Sequence, residues 1–281
     1  MPTVHLTSRA FVTVDGPEAE HFLQNLITPD LASLARGDAR PGALLTPQGK
    51  ILFDFLISRS GEGFRLECRA DVADDLVKRL TIYKLRAKVT IAKQEQGLVA
   101  VSWGDESGDS QSDSSARDLR FSDPVWRHYE ALPAATADHA AWTRLRVESG
   151  IAESGTDFAL SDAFPHDILY DQNGGVGLKK GCFVGQEVVS RMQHRGTARR
   201  RVMIARSDDA LPDPGTEITV SGRPIGTLGS GADGSGIAIV RIDRVKDALD
   251  AGQDIVAGDA RVTLSIPGWA RYTLPETSAT D

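Results

Sequence analysis

Beyond residue 199 the sequence consists of short runs in which polar and apolar residues alternate, and this pattern restricts the fold of that region more than any other feature does. The runs read RRVMIARS, TEITVSG, IGTLGS, GIAIVRID and ARVTLSI, and they are separated by Pro-Gly, Ser-Gly and Asp-Gly pairs. Alternation with a period of two is typical of strands with one buried face, and such pairs form tight turns. The pattern therefore predicts a small antiparallel β-barrel over residues 198–281.

The part of the chain before the barrel mixes strand and helix patterns. Strand patterns lie in VHLTSRAFVTVDG, GALLTPQGKILFDFLISRSGEGFRLEC and AKVTIAK, and helical patterns lie in DVADDLVKRLTIYKL, PAATADHAAWTRLRVESG and QEVVSRMQH. Asp71 is predicted to cap the first of these helices and Gly196 to end the last. The Ser-, Asp- and Gly-rich run 104–118 is predicted to be an exposed loop. Because 281 residues exceed the usual size of one domain, we predict an α+β protein of two or three domains.

Composition excludes several classes of protein. Hydrophobic residues make up 41% and charged residues 25% of the chain, as in ordinary globular proteins. No run approaches the roughly 20 apolar residues that a membrane span needs, and the first residues lack the basic start and apolar core of a secretory signal. We therefore predict a cytoplasmic protein that makes no membrane contact.

The absence of known motifs argues against several kinds of site. The six histidines show no metal-binding spacing, and the two cysteines, Cys68 and Cys182, are too far apart in sequence for a Cys-x-x-Cys site. The glycines of NGGVGLKKG fit neither phosphate-binding pattern, and no G-x-S-x-G motif occurs. A zinc enzyme, a nucleotide hydrolase and a serine hydrolase are therefore not predicted.

Basic residues are concentrated in one part of the chain. Residues 179–206 carry eight basic side chains against one acidic side chain, Glu187, although the whole chain has a formal net charge of −7. This basic strip could hold a polyanionic ligand or one stretch of RNA, with Arg199, Arg200 and Arg201 as the candidate tRNA contacts. A solvated surface with no ligand explains the same charges, and the strip lacks interleaved aromatic residues for base stacking.

Cys182 is the strongest candidate for a chemically active residue. It follows Lys179, Lys180 and Gly181 and precedes the predicted helix QEVVSRMQH. Lysines and a helix N-terminus favour the thiolate form of a nearby cysteine, and glycines on both sides permit close approach of the backbone. The alternative for a single cysteine is a small buried hydrophobic residue, which is our interpretation of Cys68 in FRLECRA.

Two acidic residues are candidates for binding a polar ligand. Asp54 lies among apolar residues in GKILFDFLI, and Glu148 lies near the end of a predicted helix in RLRVESG. Carboxylates are rarely buried unless they are paired or hydrogen-bonded. Asp54 could equally be a strand-edge residue and Glu148 an exposed one, and the sequence leaves both alternatives open.

The segment KGCFVGQEVVSR resembles the signature K-G-C-[YF]-x-G-Q-E-x-x-x-R of the YgfZ-type folate-binding proteins, which are related to the aminomethyltransferase of glycine cleavage. The likeness extends to VDGPEAEHFLQNLITPDL, LLTPQGKILFDFLI, LRVESGIAESG and PGTEITVSGRPIGTLGS, and so covers nearly the whole chain. The resemblance implies a three-lobed, GcvT-like α+β fold around a central folate pocket. It implies a first αβ domain over residues 1–39 and 134–197, a second over 40–133 and the barrel over 198–281.

The resemblance also implies which residues form the site. Cys182 is implied to be the reactive residue and to serve as a ligand of an iron–sulfur cluster shared with a partner. The residues implied to bind the folate are Asp54, Glu148, Asp171, Lys180, Gln186, Glu187 and Arg191. Phe53 stands where the aminomethyltransferases have a second acid, and Leu169 stands where asparagine is usual. The departure at Phe53 favours cluster maintenance over aminomethyl transfer, and the departure at Leu169 implies weaker or absent folate binding, because it removes an amide that could hydrogen-bond the ligand.

The leading hypothesis is a tetrahydrofolate-binding accessory factor that supports assembly or repair of iron–sulfur enzymes, including those that modify tRNA. The implied cofactors are tetrahydrofolate or a derivative and a shared cluster, because one cysteine cannot supply the four ligands that a cluster normally needs. The implied partners are cluster-assembly or client proteins. The alternatives are a folate-dependent aminomethyltransferase or demethylase, and an RNA-binding module that uses the basic strip.

Overall fold

The computed structural model describes residues 1–94, 98–104, 114–130, 132–196 and 198–275. The chain divides into two compact units: the first consists of Met1–His139 and Asn173–Val188, and the second of Ala140–Gln172 and the chain from Val189 onward. Within the described ranges, no helix is long and apolar enough to cross a membrane.

The first unit is built on one large sheet. Its strands are β1 (Thr3–His5), β2 (Arg9–Asp15), β3 (Asp38–Leu45), β4 (Ile51–Ser60), β5 (Gly63–Arg69), β6 (Thr90–Lys93), β7 (Val99–Trp103), β8 (Ser115–Asp118) and β9 (Val125–Tyr129). They form a nine-stranded sheet in the order β1-β7-β9-β8-β3-β4-β5-β2-β6, in which β3 and β8 pair in parallel. Two helices, α1 (Ala19–Gln24) and α2 (Ala73–Lys84), belong to this unit, and a 3₁₀ turn over Ala70–Val72 precedes α2.

Residues along the central strands point alternately to the two faces of this sheet, and the two faces differ in character. Apolar residues of one face pack with α1 and α2 into a core that includes Val12, Val14, Phe22, Leu23, Phe53, Phe55, Ile57, Leu66, Cys68, Leu76 and Leu80. Because successive side chains of a strand point to opposite faces, Asp54 and Glu67 face away from this core. Both are nevertheless buried, with 7% and 0% of their surface exposed.

The second face of the sheet carries a buried ionic network. Glu67 accepts hydrogen bonds from Arg9 (3.0 Å), from Arg127 (3.1 Å) and from the Tyr129 hydroxyl (3.0 Å). Arg127 also donates to Asp118 at 3.0 Å. The sheet therefore curves far enough to bring β9 over β5, and the buried charges compensate one another.

The second unit contains a near-closed antiparallel barrel. Its strands are β10 (Arg200–Arg206), β11 (Glu217–Val220), β12 (Arg223–Ala232), β13 (Ser235–Arg241), β14 (Ile255–Ala257), β15 (Ala260–Arg261) and β16 (Thr263–Ser265), in the order β15-β14-β11-β12-β13-β10-β16. Alternate apolar residues fill its interior together with helix α5 (Ile242–Asp250). The hairpin between β11 and β12 turns at Ser221 and Gly222, whose φ angles of 49° and 73° are those of a two-residue primed turn.

Within the described residues, the remaining helices are α3 (His139–Ser149) and α4 (Gln186–Arg195). Helix α4 ends before Gly196, which has a φ of 59°, as predicted. The predicted α+β class and the C-terminal barrel are also confirmed.

Two local predictions are corrected. Asp71 does not cap α2, because it lies inside the 3₁₀ turn and its carboxylate accepts a hydrogen bond from Arg69 at 3.0 Å. The predicted loop 104–118 ends in strand β8, which pairs with β3 and β9, while its residues 105–113 lie outside the described ranges. The three domain boundaries stay predictions, and strands from both sides of residue 39 share the nine-stranded sheet.

Candidate functional site

Cys182 lies on an exposed loop of the first unit. The thiol is exposed to solvent, whereas the next residue, Phe183, is only 7% exposed. Helix α4 begins at Gln186 rather than directly after the cysteine, so the thiol lies outside the first turn, where the helix dipole acts. The thiol is therefore surrounded by an exposed loop and does not lie at the N-terminus of a helix.

Cys68 has the opposite environment. It lies in β5 within the apolar core and is 0% exposed. Burial raises the pKa of its thiol to about 12, with smaller contributions from nearby carboxylates. The interpretation of a small buried residue therefore applies to Cys68 and not to Cys182.

Lys180 attaches the thiol loop to the segment that follows α1. Its ammonium group donates to the carbonyl oxygens of Ile27 (2.6 Å) and Pro29 (2.9 Å) and lies 5.3 Å from the centre of the Phe183 ring. Burial lowers the pKa of Lys180 to about 8, although the negative charge of Asp30 opposes that shift. Lys180 thus holds backbone carbonyls of its own unit.

Thr28 makes a second attachment between the same two segments. Its hydroxyl donates to the Gly175 carbonyl oxygen at 2.6 Å, and its carbonyl oxygen accepts from the Gly177 amide at 2.8 Å. Gly177 is needed here, because a methyl group at that position would lie 2.8 Å from Lys180 Cδ and 2.9 Å from Asp30 Cβ. The loop is therefore bound on the N-terminal side of Cys182 by Thr28 and Lys180.

Gly185 attaches the loop on the C-terminal side of Cys182, at the turn between β3 and β4. Its φ is 77°, and a methyl group there would lie 2.6 Å from the Thr46 carbonyl oxygen and 3.0 Å from Gly49 Cα. A methyl group at Gly49 would in turn lie 2.8 Å from Val188 Cβ. Close backbone approach at Gly185 was expected from the sequence, and the contact with this turn provides its reason.

Gly181 differs from the other glycines of the loop. A methyl group at Gly181 would meet nothing within 4 Å, and its backbone does not require glycine. The neighbouring Leu178 is an exposed apolar residue, with 43% of its surface accessible. The surface around the thiol is therefore open.

Helix α4 presents polar residues to solvent. Val189 is its buried residue, while Glu187 and Arg191 are exposed and Gln186 is half-buried. Neither Glu187 nor Arg191 forms an ion pair with any residue that the structure describes. Both side chains are accessible to a ligand or partner.

Asp54 and Phe53 lie side by side in β4 on opposite faces of the sheet. Asp54 pairs in register with Ala43 of β3, and Ala43 exchanges hydrogen bonds with Thr28. Phe53 belongs to the apolar core and is 7% exposed. The position of the expected second acid is therefore filled by a core residue.

Asp171 lies in a buried polar cluster of the second unit. Its carboxylate pairs with Arg201 at 2.6 Å, and Arg201 also donates to the His166 carbonyl oxygen at 2.9 Å and lies over the Tyr272 ring. The imidazole of His166 is fully buried and bonds Gln193 at 3.2 Å, and burial lowers its pKa. Sequence patterns did not indicate this cluster, because its members come from distant segments.

Glu148, another predicted residue of the second unit, has different surroundings. Glu148, near the end of α3, is exposed. The first unit thus contains Asp54, Lys180, Cys182, Gln186 and Glu187, and the second contains Glu148, Asp171 and Arg191. Among the residues with described positions, no three His, Cys, Asp or Glu side chains are grouped to hold a metal ion.

The basic strip is less uniform than its sequence indicates. Arg199 is exposed, but Arg200 pairs with Asp162 at 3.1 Å and Arg201 is 8% exposed within the buried cluster. Arg201 is therefore not available for the predicted tRNA contact, because its guanidinium is buried and already paired with Asp171.

Comparisons with known proteins agree with this architecture. Residues 199–272 match the family of the CAF17 C-terminal beta-barrel domain. The crystal structure of glycine cleavage system aminomethyltransferase T from Bartonella henselae has the same fold, with a TM-score of 0.73 over 96% of this chain and 87% of that chain at 18% identity. The GcvT-like fold is thereby confirmed.

Three curated relatives are similar in sequence. Iron–sulfur cluster assembly factor IBA57 homolog, mitochondrial, of Chaetomium globosum is 32% identical over 70% of this chain, which spans only 54% of that protein. The tRNA-modifying protein YgfZ of Cronobacter sakazakii is 27% identical over 76% of this chain and 74% of its own length. Human iron–sulfur cluster assembly factor IBA57, mitochondrial, is 30% identical over 94% of this chain and 84% of its own length. The resemblance seen in KGCFVGQE is therefore confirmed, and the chain belongs to the family of the IBA57 iron–sulfur cluster assembly factors and the YgfZ proteins.

Proposed function

We propose that this chain is an accessory factor in iron–sulfur cluster assembly or repair and that Cys182 is its reactive group. The names of the IBA57 relatives support the general role. The observation that carries the proposal is the exposed thiol of Cys182 on a loop attached through Lys180 on one side and Gly185 on the other. A cysteine that served only in packing would not need to be exposed at such a place.

A partner protein must supply the other ligands of any cluster that Cys182 contacts. Iron–sulfur clusters are normally held by four ligands, and the described residues offer no further group of metal-binding side chains. The open surface at Gly181 and the exposed Leu178 leave room for another protein to approach the thiol. Cluster-assembly and client proteins are therefore the proposed partners.

Complementation in cells that lack the native gene tests the role of the thiol. We expect Cys182→Ser to abolish recovery of a cluster-dependent enzyme and the matched variant Cys68→Ala to retain it. Gly181→Val should fold normally and reduce recovery, because it fills the open surface with a branched side chain. Full recovery with Cys182→Ser would show that the proposed role of the thiol is wrong.

Tetrahydrofolate or a derivative is the proposed cofactor. The fold shared with an aminomethyltransferase supports this proposal, and Asp54, Glu148, Asp171, Lys180, Gln186, Glu187 and Arg191 are the proposed contacts. Asp171 would have to bind while paired with Arg201, and Lys180 while its ammonium group bonds the carbonyl oxygens of Ile27 and Pro29. Leu169 stands in place of the usual asparagine and offers no amide to hydrogen-bond a ligand. These features favour modest affinity.

Anaerobic calorimetric titration with tetrahydrofolate tests this cofactor. We expect one-to-one binding in the micromolar range, which corresponds to about −8 kcal/mol. Asp54→Asn and Glu148→Gln should weaken binding, whereas Asp75→Asn, an exposed acid on α2, should not. Absence of heat at millimolar ligand would contradict folate binding.

Folate-dependent aminomethyl transfer or demethylation is the second candidate function. Its support is the aminomethyltransferase fold, and Phe53 opposes it because a core side chain replaces the second acid. Steady turnover of an aminomethyl or methylamine substrate with tetrahydrofolate would favour it over the accessory role. Binding without turnover would favour the accessory role.

A role connected with tRNA modification is proposed through client enzymes rather than through direct RNA binding. The name of the Cronobacter sakazakii relative supports the connection. Direct contact would depend on Arg199 and Arg200, since Arg201 is buried. The predicted cytoplasmic location stays a proposal, and the human relative is named as mitochondrial.

A further inference from the structure

We infer that Lys180 is a positioning residue, which holds the Cys182 loop on the Ile27–Asp30 segment by two hydrogen bonds from one ammonium group. The functional consequence rests on the role proposed for Cys182, whereas the geometry is independent of that role. The inference differs from the folate contact proposed for Lys180, because the partners of its amine are backbone carbonyls of this chain.

The Ile27–Asp30 segment can serve as a fixed support because it is bound to the sheet. Ile27 bridges to Leu44 of β3, and Thr28 exchanges two hydrogen bonds of 2.9 Å with Ala43. Pro29 packs over Gly42, where a methyl group would lie 2.7 Å from the proline ring. These contacts do not involve the thiol loop.

The side chain of Gln24 braces the far end of the same segment. Its amide donates to Asp30 at 2.8 Å, and its carbonyl oxygen accepts from the Leu31 amide at 2.8 Å. The hydrogen bond from Gln24 lowers the pKa of Asp30, with a smaller contribution from Lys180. Asp30 therefore stays charged close to the ammonium group.

The side chain of Lys180 is enclosed along its length. Its stem passes over Gly177, which leaves 2.8 Å between Lys180 Cδ and the position of an added methyl group. Its amine then bonds the Ile27 and Pro29 carbonyls and faces the Phe183 ring. Few surface lysines are constrained in this way, because most keep their ammonium group in water.

The loop has few other attachments close to the thiol. Before the thiol, Gly175 and Gly177 hydrogen-bond Thr28. After the thiol, Phe183 is buried and Gly185 makes the next close backbone contact. Loss of the Lys180 bonds would remove the hydrogen bonds that lie nearest to Cys182 on the N-terminal side, between the attachments at Gly177 and Gly185. Lys179, the neighbouring lysine, is exposed and forms no hydrogen bond or ion pair with any residue in the described ranges.

A nitroxide spin label on Cys182 measures this positioning directly, because Cys68 is buried and should remain unlabelled. We expect restricted label motion in the otherwise unchanged protein and in Lys179→Met, and several-fold faster motion in Lys180→Met. Ile57→Val, a mild change in the core of the same unit, is the control for general destabilisation and should leave the line shape unchanged.

Equal line shapes in Lys180→Met and Lys179→Met would overturn the inference. If Lys180→Met does not fold, Lys180→Gln, which shortens the side chain and removes the ammonium group that bonds the Ile27 and Pro29 carbonyl oxygens, should also increase label motion, and restricted motion in that variant would equally overturn the inference. The label reports no activity, so a functional Cys182→Ser protein would refute the proposed function and leave the positioning result intact.

Discussion

Asp167 is a buried carboxylate in an unfavourable environment. It is 2% exposed, accepts a hydrogen bond from the Phe164 amide at 3.0 Å and lies 3.6 Å from Arg200. Burial outweighs these contacts and raises its pKa from 3.8 to about 6. Between these two pH values the folded protein binds more protons than the unfolded chain, so this group destabilises the fold as the pH rises.

Replacement of this group by an uncharged amide is therefore expected to stabilise the protein at neutral pH. Asp167→Asn should raise the free energy of unfolding by about 2 kcal/mol at pH 7 and change it little at pH 4. Urea unfolding at both pH values measures the difference. Asp162→Asn, an exposed neighbour, should change stability by less than about 1 kcal/mol at either pH, and a similar gain in both variants would contradict the assignment to Asp167.

The two cysteines should differ in reactivity because Cys182 is exposed and Cys68 is buried. Iodoacetamide at pH 8 is expected to modify Cys182 in the folded protein and to leave Cys68 unmodified until the chain unfolds. Peptide mass spectrometry identifies the modified residue. The folded Cys182→Ser protein should take up no label, and modification of Cys68 there would show that the core opens on the time scale of the reaction.

At the scale of elements, the attachments of the thiol loop depend on Gly185 more than on Gly181. Gly185→Ala should lower the free energy of unfolding by about 1–3 kcal/mol, because alanine is strained at the positive φ of this position and its methyl group would meet the Thr46 carbonyl oxygen. Gly181→Ala is the matched control and should change stability by less than about 0.5 kcal/mol. Urea unfolding of both proteins tests this, and equal losses would contradict the proposed contact with the β3–β4 turn.

Element type could be predicted where the pattern was long and local. The alternating runs after residue 199 became barrel strands, and the helix QEVVSRMQH ended before Gly196. Strand β8 was missed, because four residues in a Ser- and Asp-rich run become a strand only through pairing with β3 and β9. The role of Asp71 was mistaken, since a neighbouring arginine competes for its carboxylate.

The site could be predicted in part, through its sequence signature. The signature proposes Cys182 and Lys180 as site residues, and these stay predictions, whereas the close backbone approach expected at Gly185 is present. The support at Ile27–Asp30 and the pairing of Asp171 with Arg201 were not predicted, because both join segments that are remote in sequence. Such contacts leave no periodic pattern.

At the scale of the whole molecule, the charge distribution opposes strong binding to nucleic acid. The chain carries a formal net charge of −7, and two of the three consecutive arginines are paired with acids. We expect any affinity for tRNA to fall about ten-fold or more between about 50 and 200 mM salt, as it does for non-specific electrostatic binding. Fluorescence anisotropy measures the slope, and Arg199→Ala should reduce it. Affinity that persists at the higher salt concentration would favour an RNA-binding module instead.

The hydrogen bond between Thr28 and Gly175 joins residues that are 147 positions apart in sequence. During synthesis the Ile27–Asp30 segment leaves the ribosome early, whereas the thiol loop emerges only after Ala140–Gln172, which belongs to the other unit. A nascent chain can therefore complete most of the large sheet before Cys182 has been synthesised. We expect the thiol loop to be the last part of the first unit to dock. Until it docks, the Ile27–Asp30 segment lies in place without the Cys182 loop bound to it.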